Sequence, residues 1–180
     1  MGAPNLDPGS VQLVSSLVAG YIEEQRDRYR TRATALSNEQ KAPLRGFFHD
    51  SLLDLARTEV LINERLSNPD FFSTARSFGI SNLPDFSSVE AVTFENVVVA
   101  HAPFSDGLLF HELVHVEQYR QLGVTKFAEL YVRGFLFNGG YDGIPLERNA
   151  YELCGRFESA PRDVFSVEDS VATWIRDGRF

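Results

Sequence analysis

The sequence has little of three things: cysteine, long hydrophobic runs and positive charge. Its single cysteine, Cys154, cannot form an intrachain disulfide, which excludes a disulfide-stabilised fold. The longest hydrophobic run, residues 97–100, is far shorter than the ~20 residues that cross a bilayer, and no basic stretch followed by an apolar run marks an export signal. The chain has 17 Lys and Arg and 25 Asp and Glu, and the resulting net charge of −8 disfavours nucleic acid as a partner. We expect a cytoplasmic protein without membrane insertion, and export by a dedicated secretion machine stays an open alternative.

What the chain does have is enough apolar and aromatic material for one core. The 180 residues are 43% hydrophobic and include 15 Phe, 6 Tyr and 1 Trp. At this length, folding buries roughly 70% of the surface of the unfolded chain, whereas two separate domains would each be marginal. We predict a single domain over residues 10–180, preceded by a disordered leader over residues 1–9 that contains Pro4, Pro8 and Gly9.

The first half of the chain mixes helical and strand patterns. Apolar residues at spacings of three and four predict a helix from Ser10 to about Leu36. Residues 37–40 form a capping-box pattern that opens a second short helix. A strand is predicted over residues 57–63 and a two-strand hairpin over residues 89–101.

The second half of the chain has a helical pattern throughout. Helices are predicted over residues 106–122, 125–137, 146–158 and 163–177, separated by glycine and proline. Aromatic residues at helical spacing in the second of these, at positions 127, 131, 135 and 137, are predicted as core or as the wall of a substrate cleft. The fold class that follows is α+β and predominantly helical, with a short β-hairpin beside the helix that begins at residue 106.

The strongest chemical signal is His-Glu-Leu-Val-His at residues 111–115, an HExxH motif inside a helical stretch. On a helix, His111 and His115 are offset by about 40° and about 6 Å along the axis, so both imidazoles can reach one metal ion. Glu112 lies about 100° away, beside the metal, where its carboxylate can take a proton from a metal-bound water. The motif predicts a Zn²⁺ site with His111 and His115 as ligands and Glu112 as the catalytic base.

A catalytic zinc ion needs a third protein ligand and one open coordination position. The extended metzincin motif is absent, since Gln118 and Gln121 stand where that class has a glycine and a histidine. Further along the chain, a glycine-rich turn precedes a new helix that carries Glu147, which we predict as the third ligand. Two alternatives stay open: Glu152 or Asp142 is the third ligand instead, or Glu147 is only an acidic residue at a solvated helix start.

At these residues the chain resembles the gluzincin class of zinc metallopeptidases, in which a second helix supplies a glutamate in an E-x-x-A pattern, here starting at Glu147. More closely, residues 111–118 (HELVHVEQ) and 140–147 (GYDGIPLE) look like the small bacterial HELxHVxQ domains. Those domains occur alone or in proteins associated with contractile injection systems and toxins. The resemblance implies a minimal zincin-like domain with peptidase activity. It departs from the membrane-bound gluzincins at Tyr151, where an aspartate usually supports the first histidine.

Two further roles in the site have several candidates. Metal-bound histidines usually donate their second N–H to a carboxylate or a carbonyl. The candidates for this partner are Asp142, Glu117 and Glu152. Another donor must stabilise the oxyanion that forms during hydrolysis. The candidates for this donor are His101 at the end of the hairpin and Tyr141 and Tyr151 beside the third ligand, and a purely structural role is the alternative for each. The edge of the hairpin is a candidate for binding an extended peptide as an added strand.

The ligands and the base together predict a zinc-dependent hydrolase, specifically a peptidase acting on a peptide or protein substrate. Zinc would polarise the scissile carbonyl and lower the pKa of its water toward about 7, and Glu112 would pass the proton to the leaving amine. One alternative is a catalytically silent binding or structural module, in which a fourth protein ligand closes the metal site. A secreted effector protease is another.

The negative charge is unevenly distributed along the chain. No Lys or Arg lies between Arg76 and Arg120. The acidic residues in this stretch are Asp85, Glu90, Glu95, Asp106, Glu112 and Glu117. We predict that part of this surplus lines the metal cleft and favours basic peptide segments, the alternative being a generally solvated acidic surface.

Overall fold

The structure is a computed structural model that describes residues 7–80 and 82–180. In chain order, its elements are α1 (Pro8–Arg30), β1 (Thr34–Ala35), α2 (Asn38–Lys41), α3 (Asp50–Leu55), β2 (Arg57–Val60), α4 (Phe72–Ser77), β3 (Ala91–Phe94), β4 (Val97–Ala100), α5 (Asp106–Phe137), a 3₁₀ turn (Tyr141–Gly143), α6 (Pro145–Ser159) and α7 (Val167–Arg176). This confirms the predicted class, α+β and predominantly helical. Within the described ranges, none of the helices combines the length and the apolar character needed to cross a membrane.

Helix α1 begins at Pro8, two residues before the predicted start. The side chain of Asp7 caps it by accepting hydrogen bonds from two N–H groups of the first turn. Proline suits the first helical position, where its missing N–H would have no partner. Asp7, Pro8 and Gly9 therefore belong to the capped helix and not to a leader, while residues 1–6 of the predicted leader lie outside the described residues.

Helix α1 ends at Arg30, so its predicted extension to Leu36 is wrong. Leu36 is buried in the core, but it lies just after strand β1, so its apolar character does not come from a helical face. The capping box at residues 37–40 is confirmed. The hydroxyl of Ser37 accepts from the N–H of Gln40, and Oε1 of Gln40 accepts from the N–H of Ser37.

Four short strands form one mixed sheet in the order β1-β2-β4-β3. The predicted hairpin is confirmed as β3 and β4, which pair antiparallel around a turn in which Glu95 has a φ of 58°. The strand predicted over residues 57–63 is confirmed in its first half, as β2. This strand pairs parallel with β4, which was not predicted. As a result β4 is buried at the centre of the sheet and β3 lies at its edge.

The long helix α5 consists of two halves that meet at Gly123, where a φ of 73° and a ψ of 161° break the helical path. These angles are accessible essentially only to glycine. The predicted boundary between two helices at this position is therefore confirmed. The second half turns back past the first, since Phe127 stacks on Tyr119 with ring centroids 3.7 Å apart. We call residues 106–122 the near half of α5 and residues 124–137 its far half.

The near half of α5 is anchored by aromatic packing. Phe110 is fully buried and stacks on Phe157 of α6, with ring centroids 4.5 Å apart. Phe47 and Phe48 meet the ring of Phe110 edge to face at 5.7 and 4.9 Å. Buried aromatic pairs of this kind add to the free energy of burial and have specific geometry. The HExxH helix is thereby held in a fixed orientation against α6.

Gly134, in the far half of α5, lets the start of α6 approach closely. A Cβ atom at this position would lie 2.6 Å from Cδ of Pro145 and 3.1 Å from Cα of Ile144. We expect Gly134→Ala to lower the free energy of unfolding by about 1–3 kcal/mol, because the first turn of α6 must move to accommodate the methyl group. Unfolding in urea measures this change.

The matched control is Gly155→Ala in α6, where nothing lies within 4 Å of the added Cβ atom. Alanine is the better helix former, so this substitution is expected to raise the free energy of unfolding by about 0.5–1 kcal/mol. Equal effects of the two substitutions would contradict the close approach of the helices at Gly134.

Candidate metal centre

The near half of α5 presents the two histidines of the HExxH motif. Ser105 caps this helix by accepting a hydrogen bond from the N–H of Leu108, and the apolar residues on its other faces are buried. His111 and His115 lie one turn apart, and their Nε2 atoms are 3.2 Å from each other. Both side chains are buried. The structure thus brings the two imidazoles to one point, as the spacing predicts.

Glu147 reaches the same point from α6. This helix begins directly after the 3₁₀ turn, and Glu147 lies in its first turn. Its Oε2 atom is 3.4 Å from Nε2 of His111 and 3.4 Å from Nε2 of His115. Asp142 and Glu152 are exposed at the surface and do not join this group. The alternative in which either of them replaces Glu147 is therefore wrong.

The three donor atoms form a nearly equilateral triangle with sides of 3.2 to 3.4 Å. In a tetrahedral site with bonds of about 2.0–2.1 Å to nitrogen and oxygen, neighbouring ligand atoms lie about 3.3–3.4 Å apart. Oε2 of Glu147 is also buried without a hydrogen-bond partner, which is costly unless a cation or a proton faces it. The spacing, the donor types and the unsatisfied oxygen all fit a metal ion held by two nitrogens and one oxygen.

Gln118 fixes the orientation of His115. Its amide nitrogen donates to the carbonyl of Leu146 and to Oδ1 of Asn149, both at 3.0 Å. Its Oε1 atom is left to accept from Nδ1–H of His115 at 2.9 Å. A proton on Nδ1 leaves the lone pair of Nε2 free, as a metal ligand requires. Because Leu146 and Asn149 lie on α6, this buried side chain also ties the two ligand-bearing helices together.

The carboxylates predicted to support the histidines do not fill this role for His115. Glu117 accepts hydrogen bonds from Arg120 and Gln121 instead. The other two candidates are the exposed residues Asp142 and Glu152. For His115 the prediction is wrong, because the neutral amide of Gln118 accepts its Nδ1–H instead. The sequence indicates this role for Gln118, because Gln118 lies three residues after His115 on the same face of the helix.

Protons compete with a cation at this cluster. Burial lowers the pKa of His115, but the charges of Glu147 and Glu112 and the hydrogen bonds to Glu147 and Gln118 together outweigh it and raise this pKa to about 9. Burial raises the pKa of Glu147, but the nearby His115 and His111 more than offset this and hold it well below its usual range. In the metal-free protein at neutral pH, a protonated His115 therefore faces an ionised Glu147. A bound cation takes the place of that proton.

Glu112 lies beside the cluster and is held by the edge strand β3. Its Oε2 atom accepts a hydrogen bond of 2.6 Å from the hydroxyl of Thr93. Burial raises the pKa of Glu112, against the lowering effects of the two histidines and of this hydrogen bond. A carboxyl group with a raised pKa is suited to accept and then release a proton near neutral pH.

The cluster opens into a cavity of about 710 Å³, within the size range of ligand pockets. Tyr141 and Tyr151, both predicted as oxyanion donors, line it, and the ring of Tyr151 lies 4.5 Å from that of His111. Tyr131, from the far half of α5, also lines it. Burial, followed by the charge of Glu147, raises the pKa of Tyr131 and of Tyr141. Their hydroxyls therefore stay protonated and able to donate.

His101, the third candidate for an oxyanion donor, has a different place. Its Nδ1–H donates to the carbonyl of Val89 at 2.6 Å, and its Nε2 accepts from the N–H of Leu66 at 3.1 Å. Both ring nitrogens are thus used to join two backbone segments. His101 does not belong to the described lining of the cavity. The prediction that it projects into the cleft is therefore wrong.

An acidic lining of the cavity, as predicted, is present in part. The glutamates along it are Glu90, Glu112, Glu147 and Glu158, and among its described lining residues there is no Lys or Arg. Two acidic residues of the predicted stretch are instead engaged in ion pairs elsewhere, Glu95 with Arg26 and Glu117 with Arg120. In the metal-free protein the proton on His115 offsets one of these acidic groups, and no described Lys or Arg of the lining offsets the others.

The role of Gln118 can be tested by removing its amide. We expect Gln118→Leu to weaken zinc binding by about 10- to 100-fold, because His115 loses the acceptor that fixes its tautomer and orientation. Competition with a fluorescent zinc chelator measures the dissociation constant, on protein shown to be folded by circular dichroism.

The matched control is Gln121→Leu, one turn further along α5. Gln121 donates to Glu117 and to the carbonyl of Glu168 but does not touch a histidine. This substitution removes two hydrogen bonds, against three for Gln118→Leu, so it is expected to lower stability and leave the zinc affinity of the folded protein unchanged. Equal zinc affinities for the two variants would contradict the role assigned to Gln118.

Comparisons of the chain with protein-family models, with curated proteins and with solved structures found no match. What the site can do therefore follows from its own chemistry. Three buried donor atoms can hold one cation, and a carboxyl group with a raised pKa lies next to them on the same helix.

Proposed function

We propose that this protein is a zinc-dependent hydrolase that cleaves amide bonds, specifically a peptidase. The observation that carries the proposal is the triangle of donor atoms from His111, His115 and Glu147, whose sides match those of a tetrahedral zinc site. The triangle borders a cavity of about 710 Å³, so three protein ligands leave a coordination position that water and substrate can reach. Three ligands with one open position are typical of catalytic rather than structural zinc sites.

The other roles in catalysis are assigned to residues of the chain. When bound, zinc supplies Lewis acidity, which polarises a carbonyl group and favours ionisation of water at neutral pH. Glu112, held by Thr93, takes the proton of the attacking water and returns it to the leaving nitrogen. Gln118 keeps the proton of His115 on Nδ1 and thus keeps Nε2 available as a ligand.

We assign stabilisation of the oxyanion to a tyrosine hydroxyl. Tyr151 is the strongest candidate, because its ring contacts His111 and the residue is 58% exposed, which leaves its side chain free to adjust to a substrate. Tyr141 and Tyr131 line the same cavity and also keep their protons. A neutral hydroxyl donates to developing negative charge without being ionised by it.

The proposal extends to the protein family and to the cellular compartment. Two histidines and a base on one helix, with a glutamate on the next, support the resemblance to gluzincins and to the small HELxHVxQ domains. Peptide or protein substrates follow from that assignment. We also propose a cytoplasmic site of action, since the single cysteine needs no oxidising compartment.

Metal analysis combined with a hydrolysis assay tests the proposal. Protein purified without chelators is expected to hold about one zinc ion per chain. Removing the metal should abolish hydrolysis of a peptide library, and returning zinc should restore it. Bound zinc with no hydrolysis of any peptide would instead support the silent, metal-stabilised module. Protein with no affinity for zinc would overturn both.

A further inference from the structure

The cavity at the metal centre continues into a region that the proposed chemistry does not use. Its walls come from α1, from the segment that contains α4, and from the far half of α5. Aromatic rings from these walls, such as those of Phe72 and Phe135, line this region together with aliphatic side chains. The aliphatic lining residues from these walls include Val14, Val18, Ala75, Ile80, Val132 and Leu136. We call this part of the cavity the apolar lobe.

The cavity is elongated from the metal centre into the apolar lobe. On the far half of α5, its lining residues run from Phe127, whose ring lies 6.1 Å from that of His115, to Leu136 in the lobe, or about 14 Å. On α1, they run from Ile22 to Val14, about 12 Å along the helix axis. An extended hydrocarbon chain advances about 1.25 Å per carbon, so the path from the metal centre to the end of the lobe takes a chain of roughly ten carbons.

The described walls of the lobe are poorly suited to a peptide main chain. Along α1 and the far half of α5, backbone N–H and C=O groups are bonded within the helices. The N–H of Ile80 donates to the carbonyl of Ala75, and the hydroxyl of Tyr21 donates to the carbonyl of Ser67. A buried peptide group without hydrogen-bond partners is costly, whereas buried hydrocarbon is stabilising. The lobe therefore favours hydrocarbon over peptide backbone.

The charge at the other end of the cavity limits the head group. Glu90 and Glu158 line the cavity in addition to the glutamates of the metal centre, and no Lys or Arg is found among the described lining residues. Carboxylates close to one another repel, and a cavity of one sign attracts the opposite charge. Bound zinc would offset the charges of Glu112 and Glu147, so Glu90 and Glu158 are what disfavour an anionic head group and favour a neutral or cationic one.

We propose that the substrate of this peptidase is an N-acylated peptide whose hydrocarbon chain is about ten carbons long. The chain lies in the apolar lobe, and the neutral or cationic polar end brings the scissile amide to the metal centre. Water adds across the C–N bond, which breaks to give a carboxylic acid and an amine. The cleavage step rests on the proposed function, whereas seating of the chain in the lobe does not depend on turnover.

Calorimetric binding of a matched series of N-acyl glycyl-lysinamides, each below its micelle concentration, tests the inference. The acyl groups are acetyl, hexanoyl, decanoyl and tetradecanoyl, and the protein is zinc-loaded Glu112→Gln, in which cleavage of the amide is slowed. Full burial of one methylene group tightens binding by about fourfold. We expect at least a tenfold gain from hexanoyl to decanoyl and little further gain to tetradecanoyl. An affinity that does not change with chain length would overturn the proposal.

Filling the lobe supplies a second test. Val18→Trp, also in the Glu112→Gln background, adds an indole to the wall formed by α1, where the valine is only half-buried. It is expected to weaken binding of the decanoyl compound by at least about tenfold and to leave binding of the acetyl compound unchanged. The matched control is Val164→Trp, at an exposed valine away from the cavity. Equal decanoyl affinities for the two variants would place the chain outside the lobe.

The head group is tested with decanoyl-glycyl-glutamate, which is expected to bind more weakly than decanoyl-glycyl-lysinamide. Equal or tighter binding of the anionic compound would overturn the assignment of the head group. These results are separable from the proposed function. If binding depends on the length of the acyl chain but the wild-type protein hydrolyses none of the compounds, the lobe binds the chain and the proposed hydrolase activity is wrong. If the wild-type protein hydrolyses the compounds at rates that do not depend on chain length, the hydrolase activity stands and binding of the chain in the lobe is wrong.

Discussion

Replacing Glu112 by glutamine is expected to lower the rate of hydrolysis by about 10²- to 10⁴-fold without loss of zinc. Glutamine has the shape of glutamate, and its carbonyl oxygen can still accept the 2.6 Å hydrogen bond from the hydroxyl of Thr93. What the variant lacks is a group that takes a proton from the attacking water. Measurement of kcat/KM on one peptide, with metal analysis of the same samples, checks both halves of this expectation.

The matched control for this variant is Glu90→Gln. Glu90 lines the same cavity but is exposed, so its substitution removes an equal charge without touching the proton transfer. Because an exposed charge is screened by salt, we expect kcat/KM for an uncharged peptide to stay within about threefold of the wild-type value. A Glu112→Gln protein as active as the wild type would exclude Glu112 as the base. Loss of zinc from that variant would indicate that Glu112 binds the metal instead.

The parts of the site that lie on one helix could be predicted from the sequence. The relative positions of His111, Glu112 and His115 depend only on the helical repeat, which local periodicity establishes. The position of Glu147 relative to the two histidines is harder to predict, because Glu147 lies on a different helix. The sequence narrowed the third ligand to three carboxylates, and what selects among them is the docking of α6, through the close approach at Gly134 and the hydrogen bonds of Gln118.

The parts that depend on distant pairing could not be predicted. The parallel pairing of β2 with β4 makes β3 an edge strand beside α5, and only this arrangement explains why Thr93 reaches Glu112. Similarly, the helical spacing of Tyr131 shows which face of its helix it occupies but not the direction in which the chain turns at Gly123. The short distance along the chain between His101 and the HExxH motif suggests an oxyanion donor, but the two hydrogen bonds of His101 to the backbone connect segments that only the fold brings together.

Glu147→Ala is expected to weaken zinc binding by more than about 100-fold, the upper end of the effect seen when only the partner of a ligand is lost. With zinc at about 1,000 times the wild-type Kd, binding adds about 4.1 kcal/mol of stability, and a site weakened 100-fold adds only about 1.4 kcal/mol. For a chain of this size, the zinc-induced rise in Tm should shrink by roughly 5–10 °C. Thermal unfolding with and without zinc measures it.

The matched control is Glu152→Ala on the same helix, which removes an equal charge from an exposed position that the sequence alone left as a candidate ligand. It is expected to keep the full zinc-induced rise in Tm. Each variant is compared with itself, with and without zinc, because Glu147 also interacts with His115 in the metal-free protein and so affects its Tm directly. Only the zinc-induced difference reports ligation. If Glu147→Ala keeps that difference, or Glu152→Ala loses it, Glu147 is not the third ligand.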